Sequence, residues 1–137
     1  MELFLEFLAQ QWILAGALAA AIVMLLNYES RKSGRSLTPQ QAINMVNAEG
    51  GVFLDLRDSG EYGQGHIVNS INIPATKLDA RLAELEKYRE KPIILVCKMG
   101  QSCGAAGKKL TAEAYVGVYR MSGGMTEWGT LQLPLVK

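Results

Sequence analysis

The chain has 137 residues, 49% of them hydrophobic and 20% charged, with 14 basic against 13 acidic side chains and a net charge of +1. That length suits one ordinary domain and a little more, and the near-neutral balance excludes a basic nucleic-acid-binding surface or an acidic disordered tail as the dominant feature. With two cysteines and one histidine, a zinc site built from these residues would lack a ligand, so no metal or other cofactor is implied.

The apolar residues are unevenly spread. Residues 1–28 carry only two charges, Glu2 and Glu6, and from Phe7 to Leu26 the strongly polar interruptions are Gln10 and Gln11. Twenty helical residues span roughly 30 Å, the thickness of a bilayer's hydrocarbon core. A cleaved signal peptide would have a positive start and a shorter apolar run. A core helix would show a polar face, and this one is apolar all round. The stretch therefore reads as a transmembrane anchor over 1–28, with the lipid bilayer as its partner. Arg31, Lys32 and Arg35 follow it, and no basic side chain precedes it. The bias of Lys and Arg toward the cytoplasmic side then puts the N-terminus outside and the remainder in the cytoplasm. Cysteines there are normally reduced.

Residues 29–37, "ESRKSGRSL", read as a basic linker, and a domain follows over 38–137. At its start Thr38 is a helix N-cap, Pro39 suits the first helical position and Gln41 completes a capping box. The apolar face is Ala42, Ile43, Met45 and Val46, and Gly50-Gly51 is the stop. "VFLDL" (52–56) and "SINIP" (70–74) are strand candidates. "TKLDARLAELEKY" (76–88) predicts a helix with Leu78, Leu82 and Leu85 on one face. "PIILVC" (92–97) is the continuous apolar run of a strand buried on both faces. A small-residue helix over 103–114, a strand over 115–120 and a short helix from 123 complete the pattern. Alternating strands and helices predict an α/β fold, a mostly parallel sheet with helices on both sides.

In such sheets ligands bind beyond the carboxyl ends of the strands, and Cys97 lies at that end of the most hydrophobic one. The segment "KMGQS" (98–102) leads into a helix N-terminus, whose unpaired N–H groups favour a thiolate. Gly100 lets that loop close tightly, Ser102 adds a hydroxyl donor and Lys98 a rim charge. By position alone Cys97 can be a nucleophile, a small buried hydrophobe or half of a two-thiol pair. Cys103 can be a helix N-cap substitute or a thiol that resolves an oxidised or persulfidated Cys97.

"VFLDLRDSGEYGQGHIVNSINIP", "IILVCKMGQSCGAAGKKL" and "VYRMSGGMTEW" together resemble the rhodanese pattern, in order and spacing, over about 38–137. With the N-terminal anchor the chain is similar to the single-domain, membrane-anchored rhodanese-like proteins of bacteria, which implies the cell inner membrane. The resemblance implies a rhodanese-like fold and a sulfurtransferase. Cys97 holds the nucleophile's position and takes sulfur from a donor such as thiosulfate as a persulfide. It then passes that sulfur to cyanide, a thiol or a protein acceptor. Lys98, Met99, Gly100, Gln101 and Ser102 correspond to the loop that cradles the persulfide, and Asp55 and Arg57 to a supporting Asp-x-Arg brace. His66 and Trp128 take structural roles, in a turn and in packing. Two positions depart from the pattern. Ser102 stands where many rhodanese loops carry arginine, and Cys103 where a serine is usual. Cys103 also stands where the related phosphatase loop has its arginine, which disfavours phosphate-ester hydrolysis. The rival readings are a tethered interaction module and a Cys97/Cys103 redox sensor.

Overall fold

The computed structural model describes residues 1–32, 34–99 and 103–137, the side chains of 30–32 excepted. It divides into two compact units, Met1–Arg31 and Lys32–Lys137.

The first unit is helical. Helix α1 spans Glu2–Gln10 and α2 spans Trp12–Lys32. The helix expected as one piece is divided at Gln11, whose φ/ψ of −115°/31° leaves the helical region. Within α2, Trp12–Glu29 is long and apolar enough to cross a membrane. Leu14, Leu18, Ile22, Val23 and Leu26 are all at or above half exposure, so among the described residues of this unit no core receives them.

The second unit holds a five-stranded, all-parallel sheet. Its strands are β1 (Arg35–Leu37), β2 (Val52–Asp55), β3 (Ile71–Asn72), β4 (Pro92–Val96) and β5 (Gly117–Met121), in the spatial order β1-β5-β4-β2-β3. Every residue of β4 is buried. It pairs with β2 from Val52↔Ile93 to Asp55↔Val96 and with β5 from Pro92↔Gly117 to Leu95↔Arg120. The most apolar run is thus the central strand, and its period of two splits the core. Ile93, Leu95 and Cys97 face one cluster with Leu54, Leu56, Leu85, Cys103 and Leu110, while Ile94 and Val96 face another with Ala42, Phe53, Met121 and Trp128.

Helix α3 (Pro39–Glu49) begins as expected. The Thr38 hydroxyl accepts from the Gln41 N–H at 3.2 Å, the Gln41 side chain accepts from the Thr38 N–H at 3.0 Å, and Gly50 ends the helix at φ 69°. Three elements differ from expectation. The linker over 29–37 is partly ordered structure: α2 continues to Lys32, and Arg35–Leu37 joins the sheet beside β5, Ser33 lying outside the described residues. Helix α4 (Ser59–Gln64) forms in a segment with two glycines and no apolar stripe. The helix expected over 76–88 is instead two 3₁₀ segments, Ala75–Lys77 and Asp79–Tyr88, with non-helical angles at Arg81. Leu82, Leu85 and Tyr88 pack against the first cluster at intervals of three, the repeat of a 3₁₀ helix, so this winding keeps all three on the sheet. Helices α5 (Cys103–Ala112) and α6 (Gly124–Thr130) complete the unit.

Candidate active site

Cys97 directly follows the central strand and is 3% exposed. Its position is held from behind. The Cys97 carbonyl accepts from the Met125 N–H at 2.8 Å. The Lys98 carbonyl accepts from the Thr126 N–H at 3.0 Å and from the Thr126 hydroxyl at 2.9 Å. The first turn of α6 therefore fixes the start of the loop. That turn is reached through Gly123 and Gly124, both at positive φ, and a Cβ on Gly123 would lie 2.5 Å from the Glu127 Cβ.

Beside Cys97, at the end of β2, Asp55 is 1% exposed and wholly engaged. The Arg57 Nε donates to its carboxylate at 3.0 and 3.1 Å, the Arg57 Nη2 at 2.7 Å and the Arg57 N–H at 3.0 Å. Nη2 also donates to the Gly65 carbonyl at 2.8 Å, and the Asn72 amide donates to the backbone carbonyls of Asp55 and Arg57. Aspartate two residues before arginine lets one carboxylate cap the turn and receive the guanidinium fork together. The brace joins β2, β3 and the Gly65 turn.

A pocket of about 230 Å³ opens on Cys97, lined by Leu56, Arg57, Asp58, Glu61, Ala75, Thr76 and Lys98. A neighbouring one of about 410 Å³ shares Arg57, Glu61 and Lys98 and extends to Gln64, Gly65, Met125 and Leu135. Because Arg57 is spent on Asp55, the charges these walls leave over are Asp58, Glu61 and Lys98. Asp58, Glu61 and Thr76 were not singled out in the sequence, nor were Met125 and Thr126. The first two are the acidic residues of "DSGEY" just after the Asp-x-Arg pair, and the last two follow the Gly-Gly turn, which was the available signal.

Cys103 is the first residue of α5, inside the helix rather than capping it, and fully buried. Its thiol donates to the Cys97 sulfur at 2.9 Å, and neither cysteine is in a disulfide. This donation, then burial, then the nearby Cys97 charge, push the Cys103 thiol far above its ordinary range, with Arg120 opposing and Asp55 adding. Gly100, Gln101 and Ser102 lie outside the described residues; Lys98 and Met99 are described and exposed.

The remaining candidates sit apart from this centre. The His66 ring stacks on Tyr62 with centroids 3.7 Å apart, its Nδ1 is 2.9 Å from the Tyr62 carbonyl, and its backbone bridges to Val136. Trp128 packs edge-on to Phe53 in the second cluster, on the sheet face opposite Cys97, and donates to the Pro134 carbonyl. Lys109 pairs with Asp79. Among the described residues, no three metal-ligating side chains converge.

Residues 38–131 match the family model of the rhodanese-like domain. The whole chain is similar to the uncharacterized protein YibN of Escherichia coli K12, at 31% identity over 100% of this chain and 99% of that protein. It is 34% identical to the thiosulfate sulfurtransferase GlpE of Pseudoalteromonas translucida over 64% of this chain and 82% of that one. Among solved structures, a rhodanese-related protein from Thermoplasma volcanium superposes with a TM-score of 0.64 at 28% identity, covering 74% of this chain and 97% of the other. The chain belongs to the rhodanese-like family, whose members include sulfurtransferases.

Proposed function

We propose that this member of the rhodanese-like family is a membrane-anchored sulfurtransferase carrying sulfane sulfur as a persulfide on Cys97. The observation that carries the reading is the seat of Cys97: a sulfur at the end of the central strand, facing a pocket of about 230 Å³ and accepting a thiol hydrogen bond from within. A donor to that sulfur favours the thiolate, the nucleophilic form. With thiosulfate as donor, the thiolate attacks the outer sulfur, the sulfur–sulfur bond breaks and sulfite leaves with the electron pair. A thiol, cyanide or protein acceptor then attacks the outer sulfur of the persulfide and releases the Cys97 thiolate. Lys98, Met99, Gly100, Gln101 and Ser102 form the loop that receives the transferred sulfur. Asp55 and Arg57 support it from the neighbouring strand end.

The anchor reading rests on Trp12–Glu29 and on the basic residues Arg31, Lys32 and Arg35 beyond it. It places the protein in the cell inner membrane as a single pass, with the sulfur-carrying domain in the cytoplasm. Full-length protein in detergent, incubated with thiosulfate, should release about one sulfite per chain as the sulfur moves to Cys97, and Cys97→Ser should release none. No sulfite from thiosulfate would leave a tethered interaction module instead. Deleting residues 1–28 should move the protein from the membrane to the soluble fraction; retention in the membrane would refute the anchor.

A further inference from the structure

We propose that Cys103 is an internal resolving thiol that discharges the Cys97 persulfide as hydrosulfide and leaves a Cys97–Cys103 disulfide. This rests on the persulfide reading above. The resemblance described above implies a serine at 103, where this chain carries a second thiol. The structure brings it to the reacting atom: the two sulfurs are 2.9 Å apart, and both are buried. Closing that gap to a disulfide bond of about 2.05 Å needs less than about 1 Å of further approach.

The two cysteines differ in access. Cys97 lines the pocket, whereas Cys103 is fully buried in the cluster beneath and lines neither pocket described above. An external donor therefore reaches Cys97 first, and Cys103 meets the sulfur only after it has been loaded. Cys103 approaches the Cys97 sulfur from the core, while the outer persulfide sulfur leaves through the pocket. That is the arrangement an exchange at the inner sulfur requires, because attacking and leaving sulfurs must stand on opposite sides of the one attacked.

The step needs no outside oxidant or reductant. The Cys103 sulfur forms a bond to the Cys97 sulfur and gives up its proton, and the bond from the Cys97 sulfur to the outer sulfur breaks. The outer sulfur departs with that electron pair, takes a proton from the solvent side of the pocket and leaves as hydrosulfide, so one proton is released and one taken up. The two cysteine sulfurs lose two electrons in all, and the sulfane sulfur gains two. Burial and the donation to Cys97 hold the Cys103 thiol above its ordinary range, so it does not compete with Cys97 for an external donor. A dithiol reductant then reopens the disulfide for the next turnover. The chemistry assigned to the chain is thus a choice between two fates for one persulfide, transfer to an acceptor or release as hydrosulfide.

A single-turnover experiment tests this with full-length, fully reduced protein in detergent, thiosulfate as donor and no reductant. The wild type should release hydrosulfide, about one per chain, and end two hydrogens lighter than the reduced chain. Trypsin cuts after Lys98, so the bridge should appear as two peptides joined until reduced. Cys103→Ser should keep the added sulfur and lose both hydrosulfide release and the joined peptides. The wild-type readings stand whether or not that variant folds. A wild type that keeps its added sulfur, without hydrosulfide or bridge, overturns the resolving role and leaves the sulfur-carrier reading intact. No sulfur gain, hydrosulfide or bridge in either protein, with thiosulfate or polysulfide, overturns both.

Discussion

Replacing Asp55 by alanine tests the brace most directly. The carboxylate receives the Arg57 fork and the Arg57 N–H, while the Arg57 side chain is only 10% exposed and otherwise donates to the Gly65 carbonyl. Asp55→Ala removes the partner and leaves a guanidinium charge in a site closed to most water. Breaking a buried pair from one side costs about 3–5 kcal/mol, far above the zero to about 1 kcal/mol of an exposed pair. For a domain of this size that corresponds to a melting point lower by about 12–20 °C, at about 4 °C per kcal/mol. Trp128, 2% exposed beside Phe53, reports the unfolding once the exposed Trp12 is replaced by phenylalanine. The assay is thermal unfolding of full-length protein in detergent, read by Trp128 fluorescence. Asp55→Ala/Arg57→Ala should lose less than the two single variants summed, because the stranded charge is gone. A drop below about 1 kcal/mol for Asp55→Ala, or full additivity in the double variant, refutes the argument that burial makes this pair critical. Glu84→Ala, which breaks an exposed pair with Arg81, serves as the control and should leave the melting point unchanged.

Three further outcomes follow from single contacts. Thr126→Val deletes one of the two bonds to the Lys98 carbonyl, a loss of about 0.5–1.5 kcal/mol, and should lower the melting point by about 2–6 °C and slow sulfite release from thiosulfate about 2- to 12-fold in a stopped-flow time course. Gly123→Ala meets both a φ of 72° and the Glu127 Cβ at 2.5 Å, and should destabilise the domain by more than about 1 kcal/mol in denaturant titration. Cys103 gives a pH dependence. Its thiol is raised in the folded protein above the ordinary value of 9.0, so the folded state holds a proton that the unfolded state gives up. Stability from this group is complete below about pH 9 and falls as pH rises beyond it, by at most about 1.36 kcal/mol per pH unit. The difference in stability between wild type and Cys103→Ser should shrink above that pH, and a constant difference from pH 8 to 10.5 would refute the buried-thiol account.

What could be read from the sequence was whatever has a period or a local rule. The capping box at Thr38 and Gln41, the αL stop at Gly50 and the buried run Pro92–Val96 each follow from a few adjacent residues, and each is present. Strand β1 was not legible because it is three residues long, polar in two of them, and defined by its partner Tyr119–Met121 rather than by itself. Residues 76–88 carry leucines that fit a helix of either winding, and the choice of 3₁₀ is made by the sheet beneath. Thr126 escaped for a related reason. Its bond to Lys98 spans 28 positions, and the Gly-Gly turn in "GGMTEW" marks a bend without naming the partner that Thr126 reaches.

The pairing of Cys97 with Cys103 combines both kinds of information. Alternation along β4 sends Ile93, Leu95 and Cys97 to the face where α5 packs, which is fixed by sequence period alone. A spacing of six residues then has two outcomes. Were Cys103 still in the loop, its sulfur would be open to solvent and to donors. As the first residue of α5 it is buried in the core against Cys97 and lines neither pocket beside it. One residue's difference in where the helix starts decides between a second exposed thiol, which would compete with Cys97 for sulfur, and a hidden one that acts only through it.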